Sequence, residues 1–263
     1  MYDNRPIGIF DSGVGGLSIY REVKKQLPSE SFVYLADQAH NPYGGRPEKE
    51  IQRISSNVVS FLLKKKVKLV IVACNTATVS SISYLRAKYK IPLIGVVPVI
   101  KTIAKKSKSG RAAVFSTPAT AKSRYLSNLI KKFGGKTKIY KVGSSGLEHL
   151  VEQGITEGRQ INNALKKALT PLLTQDVDAL ALGCTHYPFL IPAIRKIVGP
   201  KIKIYDSGGA IARRTIEVLQ NEDLLSQKSG KDRLFTTGDV KKFKSVAEKL
   251  LGVKLDHVGK AGI

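Results

Sequence analysis

The sequence predicts an α/β protein of two similar, doubly wound domains with mostly parallel sheets and a functional site in the cleft between them. Three observations carry this expectation. Short apolar runs alternate with helix-length amphipathic segments from end to end, the pattern of βαβ units. The pattern restarts midway, where Ile7-Gly8-Ile9-Phe10-Asp11-Ser12 is answered by Ala112-Ala113-Val114-Phe115-Ser116-Thr117. Each half then has an apolar run ending in a cysteine and polar residues, Cys74-Asn75-Thr76 and Cys184-Thr185-His186.

Strands are expected at residues 7–10, 32–35, 69–73 and 93–96, then at 112–115, 138–140, 179–182 and 203–205, with a ninth at 234–236. They are rich in Val and Ile and bounded by Gly, Pro, Asp or Ser. Amphipathic segments at 48–63, 119–133, 161–173 and 240–251 supply helices between and after them. The first domain is expected to take residues 1–97 and 207–263, the second 98–206. In open α/β sheets, ligands bind beyond the carboxyl ends of strands. The residues just after each apolar run are therefore the candidates for chemistry.

Composition narrows the function classes. The 263 residues include 42% hydrophobic ones, enough for a sizeable core. Two cysteines cannot build a disulfide scaffold or a four-ligand zinc site. No apolar run is long enough for a bilayer span, and Met1-Tyr2-Asp3-Asn4-Arg5-Pro6 has no apolar signal core. A cytoplasmic protein without a membrane partner is expected. Lys and Arg number 44 against 20 Asp and Glu, a net charge of +24 that attracts anions. The excess is spread in short runs such as Lys64-Lys65-Lys66, Lys105-Lys106 and Lys131-Lys132, which read as solvated helix ends. No aromatic-interleaved basic tract or zinc-finger spacing accompanies them, so a nucleic-acid partner is not expected.

Both cysteines sit where a strand gives way to a polar helix start, with Asn75 or Thr76, and Thr185, placed as caps. Unpaired N–H groups there favour an anion, whether thiolate or substrate carboxylate. One such cysteine is ordinarily a small buried hydrophobe; two in matched contexts point to a pair of equivalent bases. Bases on opposite faces of a carbon remove a proton from one side and deliver one to the other, which is racemisation. Asp11, at the end of the first strand, and His186, two residues past Cys184, are the neighbours placed to tune them. A phosphatase loop would need an Arg after Cys74, and the P-loop and dinucleotide patterns are absent. A Cys/His hydrolase built on Cys184 and His186 remains open but leaves Cys74 unexplained.

Four segments in order resemble the glutamate racemases of the cofactor-independent aspartate/glutamate racemase superfamily: Gly8-Ile9-Phe10-Asp11-Ser12-Gly13-Val14-Gly15-Gly16-Leu17, Asn41-Pro42-Tyr43-Gly44, Val72-Ala73-Cys74-Asn75-Thr76-Ala77-Thr78 and Leu182-Gly183-Cys184-Thr185-His186-Tyr187-Pro188. The likeness runs over nearly the whole chain. It implies interconversion of L- and D-glutamate without cofactor or metal, with D-glutamate supplied to peptidoglycan. It assigns Cys74 to the proton of D-glutamate and Cys184 to that of L-glutamate, with Asp11 assisting Cys74 and His186 assisting Cys184. It also implies that Asp11, Ser12, Tyr43, Gly44, Asn75, Thr76, Thr185 and His186 hold substrate, that Thr117 and Thr120 add contacts, and that Glu152 stands near Cys184. The chain departs from the family in reading Val142-Gly143-Ser144-Ser145-Gly146 where a Cys-Pro element is common. The expected partners are glutamate and a second copy of the chain, as a homodimer. Two alternatives remain: aspartate racemase or a related superfamily member, separated by assay with both substrates, and a basic nucleic-acid-binding or gyrase-regulating protein on the same scaffold, separated by a salt-dependent DNA shift.

Overall fold

The computed structural model describes residues 2–228 and 230–263. Two compact units divide the chain: Val97–Ser207 forms one, and the residues up to Val96 with Gly208–Ile263 form the other.

The first unit runs β1 (Ile7–Asp11), α1 (Leu17–Gln26), β2 (Phe32–Ala36), α2 (Glu48–Lys64), β3 (Leu69–Val72), α3 (Asn75–Lys88) and β4 (Leu93–Gly95). The second runs α4 (Ile100–Lys106), β5 (Arg111–Ser116), α5 (Pro118–Lys122), α6 (Arg124–Phe133), β6 (Lys138–Gly143), α7 (Leu147–Glu152), α8 (Arg159–Leu173), β7 (Ala179–Leu182), α9 (Ile191–Val198) and β8 (Lys203–Tyr205). The chain then adds α10 (Gly208–Asn221), β9 (Arg233–Thr236), α11 (Val240–Leu251) and β10 (Val258–Lys260) to the first unit. Every strand pairing among the described residues is parallel, as expected for βαβ units. The first sheet has the order β10-β9-β2-β1-β3-β4 and the second β6-β5-β7-β8.

The second order repeats the β2-β1-β3-β4 part of the first, with β6, β5, β7 and β8 in those places. The register repeats too. Phe10 stands opposite Val72, and the Ala73 amide donates to the Phe10 carbonyl at 2.8 Å. Phe115 stands opposite Leu182, and the Gly183 amide donates to the Phe115 carbonyl at 2.7 Å. The next residue after each of these amides is a cysteine. The strand order reverses between β1 and β3 and between β5 and β7, so both cysteines lie at switch points, where open parallel sheets bind ligands.

β1, β2 and β3 are buried along their whole length, which is why they read as continuous apolar runs rather than alternating ones. Phe10, Val33, Leu35, Val70 and Val72 pack with Ile51, Ile54, Val58 and Leu62 of α2 to make one core. Val114, Ala181, Ile103 and Leu126 belong to another, in the second unit. Gly16 permits a close approach that no side chain would allow: a Cβ there would lie 2.6 Å from Asp11 Cβ and 2.8 Å from the Tyr34 hydroxyl.

Two local expectations are corrected and one strand is added. The segment 119–133 is two helices, because Ser123 leaves helical geometry to cap α6, its hydroxyl accepting from the Leu126 amide at 3.1 Å. β10, a three-residue strand beside β9, was not anticipated, since Val-Gly-Lys carries too little apolar pattern. No α-helix follows Cys184 directly; a 3-10 turn at Tyr187–Leu190 precedes α9, so Thr185 caps no helix.

Candidate active site

In the first unit the N-cap of α3 is Cys74 itself, not Asn75 or Thr76. Its backbone is extended, and its sulfur accepts from the Ala77 amide at 3.4 Å. Asn75 and Thr76 are the first two helical residues, both buried, and the Asn75 amide oxygen has no hydrogen-bond partner among the described residues. Cys74 Sγ lies 3.9 Å from Ser12 Oγ, and Ser12 Oγ donates to Asp11 Oδ1 at 3.2 Å. The same carboxylate oxygen accepts from the Gly13 amide at 3.0 Å, which fixes the fully buried Asp11 against the turn after β1. Asp11, Ser12 and Cys74 thus form one connected group at the carboxyl ends of β1 and β3.

The Asn41-Pro42-Tyr43-Gly44 loop is bound to this group through Asn41, whose Nδ2 donates to the Ser12 carbonyl at 3.1 Å. Tyr43 is buried and donates to Asp37 Oδ2 at 2.8 Å. Burial pushes its phenol well above the usual value, and the charge and hydrogen bond of Asp37 add to the rise, followed by the charges of Cys74 and Asp11. Tyr43 is therefore a fixed neutral donor. Gly44 is a half-buried turn residue. Asp37 was not singled out from the sequence. It also accepts from Thr237 Oγ1 at 2.8 Å and pairs with His40 Nδ1 at 2.9 Å. Its position just past β2 was the signal that could have found it.

In the second unit Cys184 Sγ lies 3.6 Å from His186 Nδ1, and His186 Nε2 lies 2.7 Å from Glu152 Oε1. Glu152 ends α7, 34 positions upstream of His186. Burial alone would push the His186 ring down. The hydrogen bonds to Cys184 and Glu152, with the charges of both, outweigh it and hold the ring well above its ordinary value of 6.5. The ring lies between the Cys184 sulfur and the Glu152 carboxylate, and both favour its protonated form. Tyr187, the next residue, stacks on Phe115 with ring centroids 4.5 Å apart and donates to the Ser144 carbonyl at 3.0 Å. Burial, then the charges of Cys184 and Glu148, raise its phenol. Thr185 is buried beside Cys184. Thr117 caps α5, accepting from the Thr120 amide at 3.4 Å, and its hydroxyl donates to Thr120 Oγ1 at 3.2 Å. Thr117 follows β5 as Ser12 follows β1.

The two cysteines are equivalent in the folds of their units but not in their neighbours. Ser116 occupies the place of Asp11, and Thr76 the place of His186. Neither cysteine is in a disulfide. Among the described residues no group of three or more His, Cys, Asp or Glu is gathered as a metal site would need.

A family model described as Asp/Glu/Hydantoin racemase matches residues 7–215. A glutamate racemase of Deinococcus radiodurans is 40% identical over 238 residues, 89% of this chain and 82% of its own. One from Herpetosiphon aurantiacus is 37% identical over 247 residues, 93% and 97% of the two chains. Among solved structures, a Bacillus anthracis glutamate racemase superposes with a TM-score of 0.87 at 34% identity, covering 99% of this chain and 98% of its own. The Escherichia coli glutamate racemase in complex with L-glutamate and the activator UDP-MurNAc-ala gives a TM-score of 0.87 at 31% identity, covering 98% of each chain. With a match of this extent, and with thiols at equivalent strand ends, the chain belongs to the Asp/Glu/Hydantoin racemase family and is an amino-acid racemase, an isomerase.

Proposed function

We propose that the protein interconverts L- and D-glutamate by a two-base reaction in which Cys74 and Cys184 work from opposite faces of the α-carbon. The observation that supports this best is the repeated register that sets each thiol one residue past the same strand-end hydrogen bond. With L-glutamate, the Cys184 thiolate takes the α-proton; an S–H bond forms and the C–H electron pair stays on carbon. The Cys74 thiol then gives its proton to the other face, leaving D-glutamate and a Cys74 thiolate. The reverse direction exchanges the roles. The pairing of Cys184 with L and Cys74 with D rests on the family resemblance.

The neighbours divide the work. The His186–Glu152 pair places a positive ring beside Cys184, and the N-terminus of α3 with the Ala77 amide favours negative sulfur at Cys74. Asp11 acts on Cys74 through Ser12. The carbanion forms beside a carboxylate that is already negative, so directed donors must stabilise it. Amides at the start of α3 and around Thr185-His186 are suited to that, with Tyr43, Gly44, Asn75, Thr76, Thr117 and Thr120 holding the substrate's polar groups. The reaction uses no cofactor or metal. A homodimer, a cytoplasmic location and supply of D-glutamate to peptidoglycan belong to the same reading.

Circular dichroism with each pure enantiomer of glutamate, and of aspartate as control, tests the activity. Cys74→Ala and Cys184→Ala should each abolish racemisation in both directions. The surviving thiolate should still eliminate a β-leaving group from the enantiomer it faces: L only for Cys74→Ala, D only for Cys184→Ala. Both variants acting on the same enantiomer, or either racemising glutamate near the wild-type rate, would overturn the two-base assignment. Faster turnover of aspartate than glutamate would overturn the substrate.

A further inference from the structure

A cationic pocket in the groove between α2 and α3 takes no part in the racemase chemistry. It has a volume of about 180 Å³ and is lined by Lys49 and Arg53 of α2 and Lys88 of α3, with Gln52, Ser56 and Tyr84 between them. The spacing of residues 49, 52, 53 and 56 puts them on one face of α2, and 84 and 88 are neighbours on α3. Lys88 is held in place: its ammonium donates to Ser56 Oγ at 2.8 Å and lies 5.8 Å over the Tyr84 ring and 5.5 Å over Tyr89. Among the described residues no carboxylate pairs with Lys49, Arg53 or Lys88. Of the two acids of the same helix, Glu50 pairs with Arg46 at 2.5 Å and Glu48 accepts from the pocket-lining Gln52 at 3.2 Å. Three cations gathered in one concavity repel one another, and a bound anion relieves that repulsion.

We propose that this pocket binds a compact phosphorylated anion, with Lys49, Arg53 and Lys88 around the phosphoryl oxygens. Pockets for whole organic ligands run from about 300 to 1,000 Å³, so this one is sized for a charged group rather than for a larger body. A phosphoryl group carries about −1.5 to −2 charge near neutrality and three acceptor oxygens. That matches one guanidinium fork and two ammonium groups better than a single planar carboxylate does. A nucleic-acid strand would need a track of cations and open aromatic faces. Here the cations line one concavity, and the Lys88 ammonium already lies over one face of the Tyr84 ring.

Calorimetric titration with inorganic pyrophosphate at fixed ionic strength tests the site, with orthophosphate as the second arm to separate a diphosphate from a single phosphoryl group. Wild type should show saturable one-site binding to at least one of the two. The double variant Lys49→Gln/Arg53→Gln should weaken it by about tenfold or more, about 1.4 kcal/mol. Lys131→Gln/Lys132→Gln removes the same charge from the end of α6 and should change it by less than about twofold. Far-ultraviolet circular dichroism of both variants checks that each is folded. Equal weakening in the two variants would mean general attraction to a +24 protein and overturn the site. So would the absence of saturation in wild type. Oligonucleotide binding that is lost in the Lys49/Arg53 variant, with neither phosphate bound, would overturn the compact ligand. None of these readouts depends on racemisation, so failure here leaves the proposed reaction untouched.

Discussion

His186 shows how a buried ring acquires its charge. A desolvated histidine ordinarily loses its proton; here Cys184 at 3.6 Å and Glu152 at 2.7 Å reverse the outcome. Because the folded value lies above 6.5, the native state holds the proton more tightly than the unfolded chain. The associated stability is fully present below about pH 6.5 and is lost as pH rises through the raised folded value. Glu152→Gln removes one of the two charges that raise it. The ring's titration midpoint, read by nuclear magnetic resonance, should fall in that variant, and the loss of stability above pH 6.5 should flatten. An unmoved midpoint would show that Glu152 does not act on the ring. Much of this group was legible in the sequence. Cys74, Cys184, Asp11 and His186 stand at strand ends and could be named from position alone. Glu152 could not, because its 34-residue separation from His186 is closed only by the packing of α7 beneath the turn after β7; it entered through family resemblance. Asp37 carries no motif of its own: His40 and Tyr43 reach it from the next six residues, and Thr237 from 200 positions downstream.

At the level of elements, the first unit is joined near the amino ends of its strands by a buried ion pair. Lys68, just before β3, meets Glu30, just before β2, at 2.6 Å, with both side chains almost wholly out of solvent. Lys68 also donates to the Asp3 carbonyl at 2.6 Å, and Glu30 accepts from the Ser226 amide at 2.8 Å. Four chain segments therefore meet at one charge pair. Lys68→Met should cost about 3–5 kcal/mol, because it strands a buried carboxylate. Lys68→Met/Glu30→Met should recover a large part of that in urea denaturation; a double variant no more stable than the single one would show that the charges themselves hold these segments. The strands were the most readable elements, since full burial on both faces leaves unbroken Val, Ile and Leu runs. Helix boundaries were less so. A thiol caps α3 where a hydroxyl or amide was expected, and Ser123 divides a continuous amphipathic pattern because its side chain competes for the backbone.

For the molecule as a whole, the net charge of +24 is the property least explained by its fold. Its field attracts anions, and glutamate is one. If the field assists capture, kcat/KM for glutamate should fall as sodium chloride rises from about 0.02 to 0.5 M, where the screening length shrinks several-fold, while kcat stays level. A flat kcat/KM would show that the charge serves something other than capture. The duplicated sheets carry a further consequence. The second unit repeats four strands of the first in order and register, yet one thiol has Asp11 near it and the other has His186 with Glu152. The two products of a racemase are mirror images and equal in free energy, so the equilibrium constant is unity whatever the enzyme does. The Haldane relation then forces kcat/KM to be the same for both enantiomers. Unequal partners around the thiols can make one enantiomer bind more tightly only by making it turn over more slowly in the same proportion. The asymmetry sets which form the protein holds, never which form accumulates.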